Sequence, residues 1–307
     1  MYSLFGRGLA HKIYKHACLA QRLWTDKAAA AKPPAAPDKL HSQIVDVRCE
    51  GMVVKILPAR DNNYMYLITD LPTGCTAAID LSDNKLLFET LKKENLTLSY
   101  AFITHHHEDH AGGTEELAAQ YPDVKICAGD ERIKCVTHCV KNDEKLKLGE
   151  MTFNCMHTPC HTVGHYCFFV ECGAGGPPAL FTGDTLFQGG CGRFFEGTPD
   201  QMYSALCEKL SSLPEDTKVF CGHEYTLQNM AYARHVEPMN DRIMKRIEWA
   251  KLRRATKSPT VPSTIGEEKS WNPFMRVHEP NVQKHAGEKD PIKTMGSLRK
   301  EKDNFRA

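Results

Sequence analysis

Residues 104 to 113 read Thr-His-His-His-Glu-Asp-His-Ala-Gly-Gly, which puts His105, His107, Asp109 and His110 within six positions. A single histidine is ordinarily a core or surface residue. Four metal-ligand types this close would repel one another and lose hydration if packed without a cation. Imidazole mixed with carboxylate is a donor set for zinc, iron or manganese, so the segment is expected to coordinate divalent metal. Two such ions roughly 3.5–4 Å apart make hydroxide available near neutral pH and polarise a carbonyl, so the natural chemistry is hydrolysis of an activated acyl group. A thioester suits it, because a leaving thiol with a pKa near ~8.5 departs as thiolate with little acid assistance.

The cluster holds too many ligands for one ion and too few for two closed ones, and three further residues are candidates to complete it. His161 lies in Thr158-Pro-Cys-His-Thr-Val-Gly-His165, Asp184 in Leu180-Phe-Thr-Gly-Asp-Thr185, and His223 in Val219-Phe-Cys-Gly-His-Glu-Tyr225. Asp184 and His223 each follow a short apolar run and a glycine, as expected for a strand that delivers a side chain to the loop at its end. The first cluster likewise follows the apolar run Leu98-Ser-Tyr-Ala-Phe-Ile103 and precedes a helix-like stretch from Thr114. The ligands are therefore expected where strands end. Glu108, inside the cluster, is expected to point away into solvent.

Taken together, HxHxDH, a distal His, a Gly-Asp and a Gly-His resemble the ligand series of the metallo-β-lactamase superfamily. Gly190-Cys-Gly-Arg-Phe-Phe-Glu-Gly197 and Gly222-His-Glu-Tyr-Thr226 look like its glyoxalase II branch, and the likeness runs from about Met52 to Phe305. It includes Arg234-His-Val-Glu-Pro238, Asn272-Pro-Phe-Met-Arg276 and Leu298-Arg-Lys-Glu-Lys-Asp303. The resemblance implies that His105, His107 and His161 hold one ion, that Asp109, His110 and His223 hold a second, and that Asp184 bridges them. Zinc is the first expectation, and iron or manganese suits the same ligands. Asp109 and Asp184 are accordingly expected to be the catalytic carboxylates, Asp109 also orienting the attacking water. The substrate implied is a glutathione thioester, S-D-lactoylglutathione above all, contacted by Arg193, Phe195, Tyr225, Arg299 and Lys302. Where that branch usually has Lys and Tyr, this chain has Arg193 and Phe195, which keeps the cation and loses a phenol. Arg299 and Lys302 are three apart, so on a helix they project from one side and could grip a remote carboxylate. A solvated basic tail is the plainer reading of the same composition. Two other activities fit the motif: a one-iron persulfide dioxygenase, whose pattern lacks the long helical tail, and a non-enzymatic conjugate binder, which would not need all seven ligands.

Composition agrees with a globular enzyme. The 307 residues carry a formal charge of +1, which gives no electrostatic reason to expect nucleic acid or an anionic membrane as partner. No apolar run approaches the ~18 residues that span a bilayer. A monomer is expected. The 13 cysteines are odd in number, form no CxxC and sit in apolar segments such as Tyr166-Cys-Phe-Phe-Val170, which fits buried reduced thiols. Met1 to Thr25 contains Arg7, Lys12, Lys15 and Arg22, no acid, and interspersed Leu4, Phe5, Leu9, Ile13, Leu19 and Leu23. That composition predicts a mitochondrial transit peptide, with the matrix as destination, followed by an Ala/Pro-rich linker from Ala28 to Pro37. Initiation at Met52 would give a cytosolic form.

The elements that must position these groups are strands mixed with helices. Strands are expected over 52–57, 64–68, 76–79, 98–103, 124–127, 166–171, 180–182 and 218–221. Thr198-Pro-Asp-Gln201 is a capping box with Pro at the first helical position, and Met202, Leu206, Leu210 and Leu213 mark its apolar face. Residues 229–255 read as one helix, broken by Ser258-Pro-Thr-Val-Pro262, and a last helix carries Arg299 and Lys302. The fold class is α/β: an αββα metallo-β-lactamase-like sandwich with a C-terminal helical domain. The division expected is 1–47 leader and linker, 48–223 metal-binding domain, and 224–307 helical substrate-binding domain.

Overall fold

Strands whose two faces are both covered read as continuous apolar runs, and most of the expected strands do. The computed structural model describes residues 40–173 and 175–306, and there these runs form two sheets packed face to face. The transit-peptide expectation lies outside the described residues. The first sheet holds β1 (Val45–Cys49), β2 (Met52–Ala59), β3 (Asn63–Asp70), β4 (Thr76–Ile79), β5 (Leu98–Ile103), β6 (Lys125–Ala128) and β7 (His138–Cys139), in chain order. Pairing is antiparallel through β4 and parallel from β4 to β7. The second sheet uses β8 (Glu144–Leu148), β9 (Met151–His157), β10 (Tyr166–Cys172), β11 (Ala179–Gly183), β14 (Lys218–Cys221) and β15 (Ser263–Thr264), ordered 15-14-11-10-9-8, while β12 (Leu186–Phe187) and β13 (Gly190–Cys191) form a separate hairpin.

Alternate residues of each strand feed different layers. Ile79, Phe102, Phe153, Phe168, Phe181 and Phe220 meet between the sheets. Their neighbours Ala78, Ala101 and Ile103 face a layer with Leu87, Leu91 and Leu117 of α1 (Asn84–Glu94) and, past the short α2 (Glu108–Ala111), α3 (Thr114–Gln120). On the other side Phe169, Leu180 and Val219 meet Leu206, Tyr232, Phe274 and Leu298 from the later helices. Leu206 lies in the helical turn Ser204–Lys209 that continues α4 (Pro199–Tyr203), Tyr232 in α5 (Thr226–Val236), Phe274 in the short turn Pro273–Met275 and Leu298 in α9 (Pro291–Asn304), while α6 (Asp241–Ala255), α7 (Ile265–Trp271) and α8 (Pro280–Ala286) complete the helical part. The result is the αββα sandwich expected. The helical tail closes the outer face of the second sheet.

Several local expectations change. The helix expected over 229–255 is two helices, α5 and α6, because Pro238 lacks an amide hydrogen and disfavours helical geometry at Glu237. The capping box at Thr198 forms, but Ser204–Lys209 then widens into a π-helix, so Met202, Leu206 and Leu210 are buried while Leu213 is only partly so. The two-residue strands β7, β12, β13 and β15 were not expected, and neither were the longer β1, β8 and β9. Their alternation of polar and apolar residues, as in Glu144-Lys-Leu-Lys-Leu148, is the one-sided pattern that a search for apolar runs passes over.

Met52 opens β2 and is buried, paired with Cys49 of β1. The edge strand β1 contributes none of the seven expected ligands. A product beginning at Met52 is therefore expected to fold and keep all seven ligand side chains in place, with a Tm lower by a few degrees, which corresponds to about 1–2 kcal/mol for a chain of this size. Loss of folding in thermal scans of residues 52–307 would show that the edge strand is indispensable.

Candidate metal centre

The strand ends converge at one rim of the sandwich. β5 ends at Ile103 and runs into His105 to His110, while His161, Asp184 and His223 follow β9, β11 and β14. Backbone hydrogen bonds stitch the two sheets together there: Tyr64 N donates to Gly222 O at 2.8 Å, Glu224 N to Asn62 O at 2.8 Å, and Tyr166 N to Thr104 O at 2.8 Å. Gly222 has no room for a side chain, since a Cβ would lie 2.4 Å from Asp184 Oδ1 and 2.8 Å from His110 Cε1. Gly183 adopts a positive φ of 45°, which turns the chain so that Asp184 enters the rim.

All seven expected ligands meet. His105, His107 and His161 place ligand atoms together, as do Asp109, His110 and His223, and Asp184 groups with His105 and His110. His107 Nδ1 lies 3.0 Å from His105 Nε2 and 3.1 Å from His161 Nε2. His110 Nε2 lies 3.1 Å from His223 Nε2, and Asp109 Oδ2 is 3.5 and 3.4 Å from those two nitrogens. Donors about 2.1 Å from a common ion lie roughly 3.0–3.4 Å apart, and these spacings match. Asp184 reaches both groups: Oδ1 is 3.5 Å from His110 Nε2, and Oδ2 is 3.5 Å from His161 Nε2 and 3.3 Å from His223 Nε2.

The tautomers agree with this assignment. His161 Nδ1–H donates to Arg193 O at 2.9 Å, His110 Nδ1–H to Asp80 Oδ2 at 2.8 Å, and His223 Nδ1–H to Asn62 Oδ1 at 2.7 Å. Each neutral ring then turns the lone pair of Nε2 toward the other ligands. Facing lone pairs at such distances repel unless a cation lies between them. Asp184 Oδ1 is also buried without a hydrogen-bond partner among the described residues, as a carboxylate oxygen reserved for metal would be. The donor set thus fits two divalent ions.

Electrostatics point the same way. Burial, then His161, pushes His107 down to about 4, so it stays a neutral donor near pH 7. Burial also lowers His110, but Asp184 and Asp80 outweigh it and push the ring up to about 9. Such a ring sits in a strongly negative field, which equally favours a metal cation. Burial, then Asp184 and Asp109, pushes Tyr225 up to about 12, so its hydroxyl remains a donor.

Sequence reasoning passed over the groups behind the ligands. Asp80, at the end of β4, accepts from Thr104 N at 2.8 Å and Thr104 Oγ1 at 2.9 Å as well as from His110. Asn63 Nδ2 donates to Asp109 Oδ2 at 2.9 Å. Buried His165 accepts from Asp184 N at 3.1 Å and stacks on His105 at 5.0 Å. An acid directly after an apolar strand, as in Ala77-Ala-Ile-Asp80, was the available signal. Asp80→Ala should weaken metal affinity by ~10–100-fold, measured by chelator competition, because it frees the His110 ring. Unchanged affinity would mean that packing alone holds that ring.

A cavity of about 310 Å³ opens beside Asp184 and His161, and Arg193, Phe195, Tyr225, Arg299 and Lys302 all line it. The five residues expected at the substrate are thus together, but they are not equivalent. Arg299 is buried and donates to Cys191 O and Asp303 Oδ1, each at 2.9 Å. Arg193 is exposed and its Nε is 3.6 Å from the same Asp303 carboxylate. Lys302 sits over the Tyr232 ring at 5.2 Å. Phe195 is exposed and its ring lies 5.7 Å from His107 and 5.2 Å from His161, forming an apolar wall. Tyr225 stacks on His223 at 4.7 Å. Glu108 points outward, as expected, and pairs with Arg60 at 2.6 Å.

Fold and ligand set define a metallo-β-lactamase-fold protein. The pattern of that superfamily matches residues 73–135. Two solved structures share the fold: a metallo-β-lactamase from Staphylococcus aureus subsp. aureus COL, at TM-score 0.59 and 23% identity over 84% of this chain and 68% of that one, and ETHE1 from Myxococcus xanthus, at TM-score 0.58 and 23% identity over 82% and 92%. The pattern described as the hydroxyacylglutathione hydrolase C-terminus matches residues 224–305. A hydroxyacylglutathione hydrolase-like protein of Gallus gallus is 48% identical, covering 83% of this chain and 91% of its own length. A cytoplasmic hydroxyacylglutathione hydrolase of Arabidopsis thaliana is 45% identical, covering 81% and 98%. The chain belongs to the hydroxyacylglutathione hydrolase family.

Proposed function

We propose that this protein hydrolyses S-(2-hydroxyacyl)glutathione thioesters, chiefly S-D-lactoylglutathione, to D-lactate and glutathione, the second step of methylglyoxal detoxification. The observation that carries the reading is the convergence of seven metal-ligand side chains beside a cavity lined by Arg193, Tyr225 and Lys302, in a chain of this family. His105, His107 and His161 would hold one divalent ion, Asp109, His110 and His223 the other, and Asp184 would bridge them. When bound, such ions acidify water and polarise a thioester carbonyl. Zinc is favoured, and iron or manganese suits the same donors.

The remaining steps belong to the protein. Asn63 holds the Asp109 carboxylate, which orients the attacking water at the rim. Phe187 and Phe195 line the approach and limit bulk water around the acyl group. Lys302, Arg193 and the Tyr225 hydroxyl supply positive charge and a donor for the peptide-like glutathionyl group, while Arg299, held by Cys191 O, adds a buried positive field. Water loses a proton to solvent and its oxygen adds to the carbonyl carbon; the C–S bond then breaks, the sulfur leaves as thiolate without needing a protein acid, and the new carboxylic acid ionises into solvent. The composition of residues 1–25 supports the mitochondrial matrix as the compartment. Among the described residues no helix is long and apolar enough to cross a membrane.

Residues 38–307, purified and metal-counted, are expected to carry about two ions and to release thiol rapidly from S-D-lactoylglutathione without oxygen. A loaded protein that leaves the thioester intact but consumes oxygen with glutathione persulfide would replace this reading with the dioxygenase.

A further inference from the structure

We propose that His235, His285 and Glu301 form a separate binding site for a divalent transition-metal ion, zinc first, on the helical part of the molecule. The three residues come from three helices. His235 lies in the last turn of α5, His285 in the last turn of α8, and Glu301 in α9 between the cavity-lining Arg299 and Lys302. No ligand is shared with the centre at the sheet rim.

The geometry is that of a three-donor site open on one side. His235 Nε2 lies 3.1 Å from Glu301 Oε1, and His285 Nε2 lies 2.9 Å from Glu301 Oε2. The ligand atoms all fall within 4.8 Å of one another, and the two rings stand 4.9 Å apart at 86°. Donors around one ion at ~2.1 Å need separations of about 3.4 Å, so a modest contraction of the cluster would bring all three onto one ion. The side chains of His235, His285 and Glu301 are 46%, 20% and 39% exposed, which leaves a coordination position for water. Tyr232 steadies the carboxylate, its hydroxyl donating to Glu301 Oε2 at 2.9 Å, the support that ligating carboxylates normally have. The carbonyl end of α5 also favours positive charge at His235.

A carboxylate bridging two imidazoles is the metal-free form of the same cluster. There each Nε2–H donates to one oxygen. On coordination both protons move to Nδ1, which has no protein hydrogen-bond partner in either ring among the described residues, so neutral rings bind the ion without net proton release. Two imidazoles and one carboxylate select zinc, nickel or copper over the oxygen-preferring magnesium and calcium. An ion here would tie α9 to α5 and α8. The site therefore fastens the helix that carries Arg299 and Lys302, yet it stands independently of the hydrolase reading.

The test uses the full chain with its rim centre loaded and excess metal removed. Calorimetric titration with zinc chloride is expected to show one additional ion per chain and a rise in Tm, neither of which magnesium chloride produces. His235→Ala combined with His285→Ala should lose that ion while keeping the metal content of the rim centre and the hydrolysis of S-D-lactoylglutathione. His285→Gln retains an amide donor to Glu301 and should still lose the ion, which separates coordination from packing. No additional zinc bound by the natural sequence, or equal zinc bound by the double variant, overturns the proposal.

Discussion

Asp184→Ala is expected to lower kcat/KM by about 10³-fold or more, because one carboxylate serves both ligand groups and the ions act as a unit. Its two oxygens lie 3.3–3.5 Å from nitrogens of His110, His161 and His223, so removing it takes a donor from each half of the centre. The loss also leaves the rings of His110 and His223 facing each other at 3.1 Å with less negative charge between them. Metal analysis should show fewer than two ions per chain after desalting, and ions that do remain should dissociate faster into chelator. Asp184→Asn is the informative companion, since it keeps the shape and one acceptor oxygen but removes the charge. Full activity with two retained ions in the alanine variant would show that His and Asp109 alone define the centre, and the bridging role would fall.

Lys302→Ala should raise KM for the glutathione thioester by about 10–100-fold, the range for losing a hydrogen bond to a charged group. Arg299, by contrast, already spends donors on Cys191 O and Asp303 and is buried, so Arg299→Ala should also lower Tm. A pH profile separates the two cations. Burial, then the neighbouring Arg299, pushes Lys302 down to about 8. Below that pH the ammonium is charged and available to an anionic substrate. Above it the group is neutral, so kcat/KM, which reports the free enzyme, should fall as pH rises through about 8. Lys302→Arg stays charged throughout and should remove this limb. An unaltered profile in Lys302→Arg would assign the limb to another group and return the residue to a solvated surface role.

Much of the centre could be read in the chain because its signals are local. Four ligands fall within one strand-end loop, and Asp184 and His223 each follow a short apolar run and a glycine that announce a strand end, whereas His161 carries no such local signal. The capping box at Thr198 and the neighbouring strands expected over 52–57 and 64–68, which pair as β2 and β3, are local in the same sense, since a few neighbouring residues supply the contacts that define them. Alternating strands such as Glu144 to Leu148 and the break at Pro238 were harder to read, because one-sided burial and the end of a helix depend on what packs against them.

By itself, then, the sequence determined the kind of site: which residues can bind metal, that seven of them exist, and that strands present them. Only the tertiary structure decided which atoms face inward. His223 depends on Asn62, 161 positions away, to hold its outer nitrogen, and His110 depends on Asp80. Nothing in a linear spacing specifies such partners, because they are set by how two sheets register along a shared rim. The same holds for the cations of the tail. Composition makes Arg299 and Lys302 look alike, whereas packing ties the Nη atoms of one to Cys191 O and Asp303 and burial lowers the other to about 8. Residue type is carried by each position alone, but a proton's location and a charge's availability are properties of the surrounding field, which exists only once distant segments have come together.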